Sequence, residues 1–293
     1  MAAPIFHILG TTFKRFNADK CFSHSIIISY FCLLCAVPLI ALFAFATTKI
    51  LGSSEIAIRS LNIFTEDFFA RLDPLFFKKI GGISKNIAGL GWFGLLGSLI
   101  SGSFLFSNLI TSLNVIFKSQ YQKSFFYNRL MEYIIMFIIA VILILSLSIT
   151  AAWTALHRII KESSFVANTL NPKVLPRIDS FLIQYLIPFM LGFLVLFVLY
   201  KFIPEVKVHT RAALVAAALG SILWEIFKRI FVVYVAHFST IGVVLSKLLQ
   251  GTLTSIIFFL LWISFSLAIL LWGAELTAVL NERMDARRAK AQA

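Results

Sequence analysis

Acidic side chains are scarce in this chain. Against 26 Lys and Arg stand 13 Asp and Glu, and charged residues of both signs make up only 13% of its 293 positions. Soluble domains carry roughly 25% charged residues, so an ordinary soluble domain is excluded. Cysteine is rare too. Cys21, Cys32 and Cys35 are the three present, too few and too clustered for a disulfide framework. Cys32 and Cys35 have C-x-x-C spacing, but Leu33 and Leu34 between them put the pair in an apolar run, where small inert thiols are expected. His7, His24, His157, His209 and His237 are scattered over separate segments and form no H-E-x-x-H or H-x-H-x-D pattern. There is no Walker A sequence, no G-x-S-x-G and no dinucleotide fingerprint. The expectation is therefore no metal, no cofactor, no catalytic residue and no enzyme.

What is abundant is hydrocarbon. Hydrophobic residues make up 60% of the chain, Phe alone occurs 31 times, and the mean hydropathy is +0.93. Six runs, 26–47, 90–117, 132–156, 180–203, 212–236 and 252–280, each reach the roughly 20 residues needed to cross a bilayer core. The expected fold is an all-α integral membrane bundle of six transmembrane helices over residues 26–280. Before it, in residues 1–25, Phe6, Leu9, Phe13 and Phe16 recur at helical spacing beside Lys14, Arg15 and Lys20. That pattern reads as an amphipathic helix, lying in the membrane surface or packed on the face of the bundle. Residues 281–293 form a basic cytoplasmic tail. In the loop 48–89, Ile58, Leu61, Phe64, Phe68, Phe69 and Leu72 alternate with charges, the mark of interfacial helices on the outer side.

The net charge of +13 raises the question of nucleic acid, but the cations do not cluster as a phosphate-binding patch would. They fall instead beside the spans. Lys14, Arg15 and Lys20 precede the first; Lys118, Lys123 and Arg129 follow the second; Lys201, Lys207 and Arg211 follow the fourth; Arg283, Arg287, Arg288 and Lys290 end the chain. By the positive-inside rule both termini are cytoplasmic. The expected partners are membrane lipids, anionic ones foremost, with a homo-oligomer left open. No cleavable signal peptide is expected, because the first run is too long and lacks a small-residue cleavage site.

Function should lie where the apolar rule is broken. Between Ala212 and Phe238 stand Trp224, Glu225, Lys228 and Arg229. Each charge near the bilayer centre costs about 2.5 to 3.5 kcal/mol, whereas a Leu or Ile returns about 0.3 to 0.6. Spacings of three and four put Glu225, Lys228 and Arg229 on one helical face, partly neutralising one another. Glu275, in Trp272-Gly273-Ala274-Glu275-Leu276, is a second acid close to the membrane. Two readings stay open for these groups: a substrate or proton path, or an ion-paired lock between helices. Ser101, Asn108 and Ser112, a polar stripe in the second run, either hydrogen-bond to a neighbouring helix or line a solute path. Gly94, Ser98 and Gly102 form a small-xxx-small series for close helix packing. Pro38 and Pro188 are expected to kink the first and fourth spans.

Several of these segments together resemble one family. Leu199-Tyr200-Lys201-Phe202-Ile203-Pro204, Leu223-Trp224-Glu225 with Lys228, Phe259-Leu260-Leu261-Trp262 leading to Gly273-Ala274-Glu275-Leu276, and the early Ala36-Val37-Pro38-Leu39 are similar to the YihY/BrkB family of bacterial membrane proteins. Two places depart from the family pattern. The first span lacks an alanine-rich start, and Thr240-Ile241-Gly242 stands where a Tyr-Gly pair is common. The resemblance implies a six-helix inner-membrane protein. It also brings the label ribonuclease BN, against which the missing metal-ligand cluster argues, and a link to serum resistance and lipopolysaccharide defects. That link points to an envelope lipid or another amphiphile, translocated or exported without an ATP site. The rival is an envelope assembly or scaffold protein.

Overall fold

The computed structural model describes residues 2–51, 91–119, 129–138, 141, 186–249 and 252–292. Among them every regular element is a helix: α1 (Ala2–Ala18), α2 (Cys21–Leu51), α3 (Gly91–Ile116), α4 (Ile187–Phe202), α5 (Thr210–Leu249) and α6 (Thr252–Gln292). Residues 129–138 are helical as well. Among the described residues two stretches, Leu96–Ile116 and Ile256–Lys290, are long and apolar enough to cross a membrane, and α1 with the start of α2, bent by 61°, makes a third if counted as one. The loop at 52–90, most of the run 132–156 and the connection 157–179 lie outside the described residues.

Boundaries differ from the hydropathy reading for physical reasons. Helix α2 starts at Cys21, ahead of the apolar run at 26, because Lys20 adopts φ 50° and ends α1 in the left-handed conformation that closes helices. The first turns of α2 contain Ser23, His24 and Ser25, helical but too polar to register as a span. The basic tail is helix: α6 continues to Gln292 through Glu, Arg, Met, Ala and Lys, all strong helix formers. Pro38 stands inside an unbroken α2. Pro188 is the second residue of α4 as described.

The chain divides into two compact units. The first comprises 1–12, 116–225 and 273–293; the second comprises 13–115 and 226–272.

In the first unit α5 has two unlike faces. Ala212, Ala213, Ala216 and Ala217 are fully buried, Ser221 nearly so, and Gly220 is buried among them. Leu214, Val215, Leu219, Ile222 and Leu223 point outward, 36–48% exposed. The buried seam has almost no side-chain volume, so α4 approaches closely. A Cβ on Gly220 would stand 3.1 Å from Leu196 Cδ1, and one on Gly192 would stand 4.0 Å from Ser221 Oγ. The outward face is the apolar surface that lipid requires.

The second unit joins α2 and α3 to the middle of α5 and the first half of α6. Aromatic rings, from the buried Phe231 to the exposed Phe22 and Phe265, join its helices. Phe227 stacks on Trp262 at 5.1 Å between ring centroids, Phe231 meets the same indole at 4.9 Å, and Phe265 meets Phe22 edge-on at 5.9 Å. On α3, Gly97 faces Pro38: a Cβ there would lie 3.2 Å from the proline Cβ. A buried polar pair ties α6 to α2, Ser264 Oγ donating to Ser29 Oγ at 2.9 Å.

Candidate functional site

The four residues that break the apolar pattern of α5 sit just beyond its alanine seam. Trp224, Glu225 and Lys228 are half-buried and Arg229 is exposed. Each makes at least one hydrogen-bonding, electrostatic or ring contact. Glu225 closes the α5 stretch of the first unit, while Lys228 and Arg229 belong to the second. Large aliphatic side chains flank them outward: Ile226 is 49% and Ile230 61% exposed. The charges therefore stand at mid-helix, among residues whose free surface is hydrocarbon.

Glu275 is more deeply placed. It is fully buried on α6, between Ala274 and Leu276, which are buried as well. Tyr200, near the end of α4, is also fully buried. Its phenol lies against the bare backbone of Gly273, where any Cβ would fall 2.8 Å from Cζ and 3.1 Å from Cε2. One turn further along α6, Thr277 Oγ1 donates to the Gly273 carbonyl at 2.8 Å. Tyr200 and Glu275 both have contacts of their own.

The polar stripe of α3 is largely turned on its own helix. Ser101 Oγ donates to the Gly97 carbonyl at 2.6 Å, Asn108 Nδ2 to Phe104 at 2.8 Å and Ser112 Oγ to Asn108 at 2.8 Å. Such back-bonding to residue i−4 satisfies a donor in apolar surroundings. Ser112 also lies 3.2 Å from His24 Nδ1 of α2. Among the described residues it is the one of the three tied by a hydrogen bond to another helix. Ser98 and Gly102 of the small series are buried in the same helix, and Gly94 lies in its first turns.

One constellation escaped the sequence reading altogether. Asn281 of α6, 8% exposed, holds the link 203–209 between α4 and α5. Its Oδ1 accepts from the His209 backbone N–H at 2.7 Å, and its Nδ2 donates to the Lys207 carbonyl at 3.3 Å. Asp285, one turn on, pairs with His209 Nε2 at 2.7 Å. The Lys201 ammonium donates to the Val208 carbonyl inside the same link. At the far side of α6, Arg283 Nη2 lies 2.8 Å from His7 Nδ1 of α1. The alanine seam was equally unread, although Ala-Ala-x-x-Ala-Ala-x-x-Gly-Ser repeats at helical spacing and states it.

Among the described residues no three His, Cys, Asp or Glu side chains stand close enough to hold a metal ion. Cys21, Cys32 and Cys35 are free thiols.

Long apolar helices, outward hydrocarbon faces and buried polar pairs define a helical integral membrane protein. The chain belongs to the virulence factor BrkB family, whose sequence model matches residues 12–293. It is similar to bacterial proteins named UPF0761 membrane proteins. With that of Alteromonas mediterranea it is 23% identical over 99% of this chain and 93% of the relative. With that of Pseudoalteromonas atlantica it is 24% identical over 92% and 86%. No solved structure matches the chain.

Proposed function

We propose that this is a six-span protein of the bacterial inner membrane, both termini cytoplasmic, that translocates or exports a lipid-like or amphipathic envelope substrate without an ATP site of its own. One observation carries this reading: Glu225 and Lys228 are only half-buried at the middle of α5 while their helical neighbours present hydrocarbon. Ionised groups persist at such a position when they face protein or water, and they commonly mark a path for ions or substrates. Lys228 and Arg229 attract an anionic head group; Glu225 orients those cations or exchanges a proton. Glu275 and Trp224 of the first unit, and Ser101, Asn108 and Ser112 of the second, are further candidates for contact with substrate or protons. No nuclease chemistry is part of this reading, and a purified, metal-supplemented sample is expected to leave RNA intact.

The test is a dithionite-quenching assay on proteoliposomes containing fluorescent phosphatidylglycerol. Wild-type protein is expected to move the probe between leaflets, and the E225Q/K228Q/R229Q variant to slow it at least tenfold at equal protein level. Equal rates for the two overturn the proposal.

A scaffold role is favoured by a different observation, the way Ser101 and Asn108 spend their donors on their own helix. Under that role Glu225→Gln lowers protein abundance and no lipid moves at all.

A further inference from the structure

Between the start of α5 and the last turns of α6, within the first unit, opens a recess of about 540 Å³ lined by His209, Thr210, Arg211, Met284, Arg287 and Arg288. Three arginines thus line one space, with no carboxylate among its lining residues. Among the described residues none of the three is in an ion pair. The neighbouring acid, Asp285, is 2.7 Å from His209 Nε2, and Glu282, the other acid nearby on α6, has its own contact. The Asn281 clamp fixes the link leading into Thr210 and so holds one wall of the recess against the other.

Like charges lining one space repel one another until an anion joins them. Arginine presents a planar fork of donors that matches phosphate oxygens two at a time. The first-turn N–H groups of α5 add a field of the same sign.

The rest of the surface says what kind of phosphate fits. Met284 adds an apolar patch to the wall. From Arg211, steps of four, four and three residues lead to Val215, Leu219 and Ile222, one face of α5. Those three side chains are 48%, 41% and 46% exposed. Cationic head and apolar runway lie end to end, as the two parts of a phospholipid do.

We propose that this recess binds the phosphate ester of an anionic phospholipid, its head group held by Arg211, Arg287 and Arg288 and one acyl chain lying along Val215, Leu219 and Ile222. The site is separate from Glu225, Lys228 and Arg229. It holds whether or not lipid crosses the bilayer, so equilibrium binding tests it independently of the flux assay.

The experiment titrates the purified full chain in neutral detergent with short-chain phosphatidylglycerol, with phosphatidylcholine of equal chain length, and with inorganic phosphate. Wild-type protein is expected to take up phosphatidylglycerol saturably. R211Q/R287Q/R288Q should weaken that binding on the order of a hundredfold and R287Q/R288Q roughly thirtyfold, from the usual attraction per cation at a membrane surface. The two-site variant changes only exposed positions near the end of α6, which guards against a folding failure. K14Q/K290Q, which removes two exposed cations outside the recess, should stay within about twofold of wild type. An equal loss in K14Q/K290Q reduces the effect to diffuse attraction and overturns the proposal. Equal binding of phosphatidylcholine overturns the requirement for net negative charge. Inorganic phosphate binding as tightly as the lipid makes the ligand a soluble phosphate and overturns the acyl-chain part.

Discussion

Tyr200 lies so close to Gly273 that no side chain fits between them: a Cβ there would clash with the phenol oxygen and approach Cζ to 2.8 Å. Both residues are buried, so neither has room to withdraw. Gly273→Ala is therefore expected to destabilise by about 1 to 3 kcal/mol, the usual cost of overpacking. Gly220→Ala meets the far end of a flexible side chain, Leu196 Cδ1 at 3.1 Å, and should cost less than about 1.5 kcal/mol. Thermal unfolding of the two variants in one detergent checks the order. Adding Tyr200→Phe to Gly273→Ala removes the oxygen clash and leaves the one with Cζ, so rescue should be partial.

Asn281→Leu fills a similar volume but leaves the His209 N–H without its acceptor. An unsatisfied buried donor costs about 1 to 3 kcal/mol. The loss should appear locally, as faster hydrogen exchange at His209 and new protease cleavage within 203–209. Asp285→Asn touches an exposed pair and should cost no more than about 1 kcal/mol.

On α1, Phe6 and Phe13 are 75% and 60% exposed, and Gly10 lies between them on the same face with nothing within 4 Å of a Cβ built there. A nitroxide at Gly10→Cys is tolerated and reports what that face touches. In liposomes it should be more accessible to oxygen than to a water-soluble nickel chelate. Equal accessibility would show the face standing in water. Gly10→Ala should favour the helix by about 1 kcal/mol.

Lys118 holds φ 50° just past the end of α3, a conformation that costs a residue with a Cβ roughly 1 kcal/mol or more. A lysine there gains part of that back from the helix dipole. Lys118→Gly is expected to stabilise by about 0.5 kcal/mol, read as a small rise in Tm.

The helices were legible because hydropathy and helical periodicity act locally. Runs such as 90–117 and 252–280 gave α3 and the apolar part of α6 within a few residues. Helix ends were less legible. Ser23, His24 and Ser25 continue a helix that hydropathy does not see, and the end of α1 is set by the backbone of Lys20. The charges of α5 announced themselves as exceptions to an apolar run. The Arg211, Arg287 and Arg288 recess did not, because its walls are far apart in sequence and each arginine alone reads as a membrane-flanking cation. Tyr200 and Gly273 were visible as family-like residues, but their contact depends on a tertiary approach that no local pattern encodes.

The clamp on the α4–α5 link spans 72 residues of sequence. During synthesis the α4–α5 hairpin, whose seam needs only local alanines and glycines, can close as soon as both helices have left the ribosome. The His209 N–H and the Lys207 carbonyl of its connecting link, however, meet their side-chain partner only when α6 follows. Asn281 therefore acts last, and a chain arrested before it keeps the Lys201 contact to Val208 but leaves Lys207 and His209 unclamped. Quality-control proteases should find unfinished copies of this protein at that link first.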